Sequence, residues 1–166
     1  NYSIFFIFFA SFLCFILQAQ GAVEVSTTTS TQAMVTAEEV HEKQVQKLDF
    51  VLFDARGLQS YQTEHIKGAI LPFGQEYYEK QALFQAHVIS APPDADQFLR
   101  QSTEKYSRDT QIITYCNKNC QASHTLMVRL QGLGFMDVKF MQDGIDAWKE
   151  KGYPVVSVKP APEASQ

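Results

Sequence analysis

Apolar positions follow two different periods along the chain, and the changes of period divide it into elements. Phe50–Phe53, in "DFVLFDAR", form an unbroken apolar run, the pattern of a parallel strand covered on both faces. "QIITY" (residues 111–115), "DVKFM" (137–141) and "GAILPF" (68–73) predict three more short strands. Between these runs the spacing turns helical. Ala37, Val40, Val45 and Leu48 fall within one arc, and Thr36 with Glu39 has the spacing of a capping box. "EYYEKQALFQAHV" (76–88) and "DADQFLRQSTEKY" (94–106) predict helices separated by the breaker "APP". Ala122, Leu126, Leu130 and Leu133 mark a helical face that Gly132 and Gly134 stop, and "GIDAWKEKG" (144–152) predicts a last short helix. Strands that alternate with helices predict an α/β fold, with a mainly parallel central sheet and helices on both faces. Such sheets bind ligands beyond the carboxyl ends of their strands, so the residues after "QIITY" become the first candidates for chemistry.

The ends of the chain break this pattern. From Ile4 to Leu17 the only strongly polar residue is Ser11, and no residue is charged. The run is shorter than the roughly 20 residues of a membrane span but suits the apolar region of a secretory signal. "LQAQGA" supplies small residues for cleavage after Ala19 or Gly21. Residues 1–21 are therefore expected to be a signal peptide, with an uncleaved anchor as the competing reading, and a few residues are expected to precede Asn1. Cys14 is a poor lipid-attachment site because bulky Leu13 precedes it. Residues 22–34 read as a Ser/Thr-rich linker, 35–158 as one folded domain, and "KPAPEASQ" (159–166) as a disordered tail. Export is the expectation, to the periplasm or to a tether facing outside the cytoplasm, with membrane contact only through an uncleaved N-terminal segment.

Composition changes the picture little. The 166 residues are 45% hydrophobic and 19% charged, ordinary for one globular domain. A net charge of −4, with Lys and Arg scattered singly, leaves no basic stripe for nucleic acid. Removal of the leader would leave two cysteines, Cys116 and Cys120. In an oxidising compartment a pair this close can form a disulfide, so a structural reading stands beside any catalytic one.

Cys116 ends a predicted strand, and the chain turns helical again soon after it. A tight strand-to-helix loop can point successive N–H groups inward, and the next helix adds the positive end of its dipole. Both favour the thiolate, which is the nucleophile. The candidate site is thus Cys116 as catalytic residue, with Asn117, Lys118, Asn119, Cys120, Gln121, Ala122 and Ser123 as the substrate-binding loop. The bland alternative is a buried, inert cysteine.

Three blocks carry a resemblance: "FVLFDARGLQSYQTEHIKGAILP", "IITYCNKNCQASHTLMVRLQGLGF" and "DGIDAWKEKGYPV". In this order and spacing they resemble a single-domain rhodanese from about Thr36 to Val156. The resemblance implies that Cys116 is the sulfur-accepting cysteine of a sulfurtransferase. Its thiolate would take the outer sulfur of a donor such as thiosulfate, and the persulfide would pass it to cyanide or a thiol. The implied partners are a small sulfur-containing anion and a thiophilic acceptor, with no metal and no organic cofactor. Asp54 and Arg56 match the family's Asp-x-Arg, a supporting ion pair that pins nearby loops. His65 and Trp148 match packing residues, Asp143 and Gly144 form the turn before the last helix, and Phe73, Tyr77, Tyr78 and Phe84 read as core and lid surface. The loop departs from many active members in carrying neither glycine nor arginine after the cysteine.

Three further classes bear on the same residues. Cys116 and Cys120 could instead cycle as a thiol redox pair, Cys120 resolving a persulfide or sulfenic acid on Cys116. A phosphatase of this fold needs arginine six residues after the cysteine, and Ala122 stands there, which excludes that class. A catalytically silent rhodanese-like binding module is the remaining alternative.

Overall fold

The computed structural model describes residues 33–158. The expected leader (1–21), most of the linker (22–34) and the tail (159–166) lie outside the described residues. Along the chain the elements are β1 (Met34–Val35), α1 (Ala37–Val45), β2 (Val51–Asp54), α2 (Leu58–Thr63), β3 (His65–Ile66), α3 (Gly74–Gln85), α4 (Ala95–Thr103), β4 (Ile112–Tyr115), α5 (Ala122–Gly132), β5 (Val138–Met141), α6 (Gly144–Glu150) and β6 (Val155–Val156). Four strands form a parallel sheet in the order β1-β5-β4-β2, and β3 pairs antiparallel with β6 beside it. The strand that carries the cysteine loop, β4, is central, with β2 on one side and β5 on the other.

Alternation along the strands sends side chains into two cores. Leu52, Ile113 and Tyr115 pack with Val40 of α1 and with Ile145 and Trp148 of α6. Phe53 and Ile112 face the opposite way, onto Leu99 of α4 and Leu126 and Leu130 of α5. Apolar layers thus cover both faces of the sheet, which is why Val51–Phe53 of β2 and Ile112–Ile113 of β4 are apolar in succession. The fold is the expected one, a mainly parallel sheet with helices on both faces.

The helix ends follow their local chemistry. Thr36 and Glu39 close the capping box of α1, with Glu39 N donating to Thr36 Oγ1 at 3.2 Å and Thr36 N to Glu39 Oε2 at 2.7 Å. The C-terminus of α5 is a Schellman turn: Gly134 takes φ +92°, its N–H bonds Gln131 O, and Phe135 N bonds Leu130 O.

Several details differ from expectation. Val45 and Leu48 do not continue the buried face of α1; they are 66% and 49% exposed. The helix stops at Val45 because Lys47 turns left-handed at φ +55° and Leu48 N folds back onto Lys43 O. "GAILPF" contributes one residue to the sheet, Ile70, whose N–H and C=O bond Leu52 O and Asp54 N. Pro72 has no N–H with which to extend it. Residues 58–63 are helical without an expected helix there, and Met34, read as linker, begins β1. No helix among the described residues is long and apolar enough to cross a membrane.

Candidate active site

Cys116 follows the last residue of β4, and its position is set by the backbone around it. Its carbonyl accepts the N–H of Ile145 at 2.9 Å, which ties the start of the loop to α6. Gly144, at φ +55°, lies so close that a Cβ there would sit 1.8 Å from Cys116 O. Only glycine permits both that conformation and that approach. Cys116 itself is 2% exposed.

The loop after it closes on itself through a disulfide. Cys116 and Cys120 are bonded, with their Cα atoms 5.9 Å apart, a normal separation for this bond. Asn117, Lys118, Asn119 and Gln121 are exposed, Cys120 and Ala122 are half-buried, and Ser123 is buried. Lys118 N–H donates to Asp146 Oδ2 at 2.6 Å, and Cys120 N–H to Asn117 O at 3.2 Å. In this disulfide form, two of the amides expected to face an anion thus face the protein's own acceptors. Ala122, the first residue of α5, donates its N–H to Cys120 Sγ at 3.4 Å. The helix terminus expected to act on Cys116 therefore meets Cys120. Ser123 O accepts from Thr114 Oγ1 at 2.9 Å, anchoring the loop's far end to β4.

Two clefts flank the loop. One, of about 240 Å³, is lined by Cys120 with Asn119, Gln121, His124, Gln142 and Asp143 among others. The other, of about 260 Å³, reaches the loop only at Ala122 and lies among Ala55, Phe73, Tyr77 and Arg129. Arg129 faces Asp96 at 3.1 Å.

Behind the loop stands a buried polar network. Asp54, at the end of β2, is fully buried and pairs with Arg56: Nη2 to Oδ2 at 2.7 Å, Nε to Oδ1 at 3.0 Å. Arg56 Nη2 also donates to Glu64 O at 2.6 Å, and Arg56 N to Asp54 Oδ1. Burial works against the Arg56 charge, but the Asp54 carboxylate outweighs it and holds the guanidinium above its ordinary value. Asp54 and Arg56 therefore pin β2 to the start of β3, and their hydrogen bonds among the described residues include none to the loop. The network reaches the loop through a residue the sequence reading left out, Tyr115. Its hydroxyl donates to Asp54 Oδ2 at 2.6 Å and accepts the N–H of Ile66 at 3.2 Å, one residue before Cys116. Burial first, then the Asp54 charge, pushes this phenol above the usual tyrosine value.

The other singled-out residues are structural in their contacts. His65 is buried, stacks on Tyr61 at 3.9 Å, and its Nδ1 lies 2.8 Å from Tyr61 O. Trp148 donates its indole N–H to Pro154 O. Phe73, Tyr77 and Tyr78 form one aromatic cluster with Phe98, and Asp143 with Gly144 makes the turn into α6. Asp146 was also missed. Only the folded position of α6, 28 residues away, brings its carboxylate to Lys118 N. Among the described residues no three His, Cys, Asp or Glu side chains gather as metal ligands.

Comparison with known proteins agrees with this architecture. Residues 36–151 match the rhodanese-like domain. The chain is similar in structure to the rhodanese-like domain of the Alr3790 protein from Anabaena sp., with 19% identity and a TM-score of 0.57 over 81% of this chain and 86% of that one. It is similar to the BH2092 protein from Bacillus halodurans, with 18% identity and a TM-score of 0.57 over 77% and 79%. It also resembles SseA of Escherichia coli, described with the 3-mercaptopyruvate sulfotransferases, at 15% identity and a TM-score of 0.51 over 76% and 52%. At these identities the likeness to solved structures is one of fold. No curated protein matches the chain. The match over residues 36–151 covers most of the chain, which therefore belongs to the rhodanese-like domain family.

Proposed function

We propose that this protein is an exported sulfurtransferase that works through a persulfide on Cys116. The observation that carries the reading is the position of Cys116: the residue after the central strand of a rhodanese-like domain, at the head of a loop that leads into α5. With the disulfide reduced, the Cys116 thiolate attacks the outer sulfur of a donor such as thiosulfate. The donor's S–S bond breaks, sulfite leaves with the bonding electrons, and Cys116 keeps the sulfur as a persulfide. A thiophile such as cyanide or a thiol then takes that sulfur and restores the thiolate. Cys116 is nearly inaccessible in the disulfide form, so reduction and movement of residues 117–121 precede entry of the donor.

The test is the intact mass of the reduced protein after thiosulfate, read together with sulfide release. The wild type should take up one sulfur, held as a persulfide that cyanide removes or released as sulfide, and Cys116→Ser should do neither. Equal sulfur uptake in both proteins, or in neither, sinks the reading. Export rests on the apolar run Ile4–Leu17, and the mass of the mature protein from an exporting host tests it: loss of residues 1–21 is the expected result, and a retained, cytoplasmic leader refutes it. A second reading, a thiol redox protein, is favoured by the Cys116–Cys120 bond itself. It predicts reversible loss of two hydrogens on mild oxidation, with neither sulfur gain nor sulfide release from thiosulfate.

A further inference from the structure

The two ends of the disulfide differ. Cys116 is buried, its carbonyl tied to Ile145 N, with the backbone of Gly144 packed against it. Cys120 is half-buried, opens onto the 240 Å³ cleft beside His124 and Gln142, and follows Asn119, which is left-handed at φ +61°. Ala122 N–H lies on Cys120 Sγ at the N-terminus of an eleven-residue helix. That donor and the helix dipole stabilise negative charge on the Cys120 sulfur when the bond is open.

We propose that Cys120 is the resolving nucleophile for a sulfur carried by Cys116, so that the protein discharges its sulfane sulfur as hydrosulfide. The proposal rests on the sulfurtransferase reading and names its acceptor, the protein's own second thiol. Starting from the persulfide Cys116–Sγ–SH, the Cys120 thiolate attacks Cys116 Sγ. The Cys116 Sγ–S bond breaks, HS⁻ leaves with its electron pair, and the Cys116–Cys120 disulfide forms. The sulfane sulfur gains two electrons, and the two cysteine sulfurs supply them. Hydrosulfide is a weaker base than an alkyl thiolate, which makes it the better leaving group. The disulfide is the end of this half-cycle and is the form in the structure.

The second half-cycle needs a dithiol reductant, and the asymmetry of the bond selects where it acts. Its first thiolate attacks Cys120 Sγ, the end of the bond that lines the cleft, and expels Cys116 as thiolate. Its second thiol then frees Cys120 and leaves the reductant as a disulfide. The net reaction converts the donor's sulfane sulfur and one dithiol to sulfide and one disulfide, with no cyanide or other external thiophile.

The experiment uses the full chain, reduced with a dithiol that is then removed, and given one equivalent of thiosulfate. Sulfide release and intact mass are followed for wild type, Cys120→Ser and Cys120→Ala. Expected for wild type is about one sulfide per chain and a final mass two hydrogens below the dithiol form. Expected for both variants is a retained sulfur on Cys116, removable by cyanide, and sulfide release lower by roughly tenfold or more. A wild type that holds its persulfide with Cys120 still open to alkylation overturns the resolving role and leaves the sulfurtransferase reading standing. So does sulfide release from the variants at the wild-type rate. If wild type and variants all fail to gain sulfur and release none, the sulfurtransferase reading itself falls, and this proposal with it.

Discussion

Tyr115→Phe tests the link between the buried ion pair and the cysteine loop. The ring, fully buried on the face toward α1 and α6, is kept, so the packing volume is unchanged. The hydroxyl is lost, and it makes two bonds: to Asp54 Oδ2 at 2.6 Å and from Ile66 N at 3.2 Å. A hydrogen bond to a charged group contributes about 1.5–3 kcal/mol, and a buried N–H left without an acceptor costs about 1–3 kcal/mol. The phenol's own desolvation cost disappears with it, so the sum is an upper bound and about 2–4 kcal/mol is the expected loss. Arg56 keeps both oxygens of Asp54 partly satisfied, which also argues against the top of the range. For a domain of this size each kcal/mol moves Tm by roughly 4 °C, so the melting point should fall by about 8–16 °C. Calorimetry and urea unfolding at neutral pH measure it, and Asp54→Asn and the double variant complete a cycle with coupling of about 1–2 kcal/mol. A loss under about 0.5 kcal/mol, or additive single effects, refutes the account of Tyr115 as the tie between β2, β3 and β4.

Gly144→Ala should destabilise by about 3 kcal/mol or more, since the residue must adopt φ +55° and its Cβ would overlap Cys116 O; an unchanged Tm in thermal unfolding contradicts the described approach of α6 to the loop. Cys120→Ser should lower stability relative to the oxidised wild type by about 2 kcal/mol, the entropy of closing so short a loop, and the reduced wild type should match the variant in urea midpoint. Stability should also fall in alkali. Burial, followed by the Asp54 charge, raises Tyr115 and Tyr78, so the native state keeps protons that the unfolded chain releases. Stability is therefore whole below the ordinary tyrosine value of about 10 and declines as pH rises above it. Urea midpoints at about pH 9 and pH 11 should show the loss, and Tyr115→Phe should show a smaller one.

What the sequence carried was local. The apolar run Phe50–Phe53 reads as a doubly covered strand because both neighbouring layers are apolar, and the structure supplies them as Leu52 and Phe53 facing opposite cores. Thr36 with Glu39 and Gly134 after Leu133 each announce a helix end through contacts within four or five residues. Val45 and Leu48 failed because their helical spacing says nothing about where the helix stops; a left-handed Lys47 has no compositional signal. The candidate loop was legible through Cys116 and its neighbours in sequence. Tyr115 and Asp146 were not, since their partners lie 61 and 28 residues away and only the sheet order brings them together.

In the proposed cycle, the arrangement around Cys116 would let the loop change state without disturbing the core. Besides the disulfide, Cys116 is fixed by backbone contacts: its carbonyl with Ile145 N, its approach to Gly144, and the β4 register that precedes it. Residues 117–120, by contrast, are held by the disulfide, by Lys118 N on half-buried Asp146 and by Cys120 N on Asn117 O. Breaking the disulfide therefore releases the second half of the loop while the first half stays pinned to α6. In that proposed cycle, the nucleophile that meets donors in a constant geometry sits on the pinned side, and the sulfur that meets a bulky dithiol sits on the released side. Exchanging the two roles would demand that the reductant attack a residue 2% exposed beneath a clamped carbonyl, so the packing of Gly144 against Cys116 supports the direction of the proposed cycle.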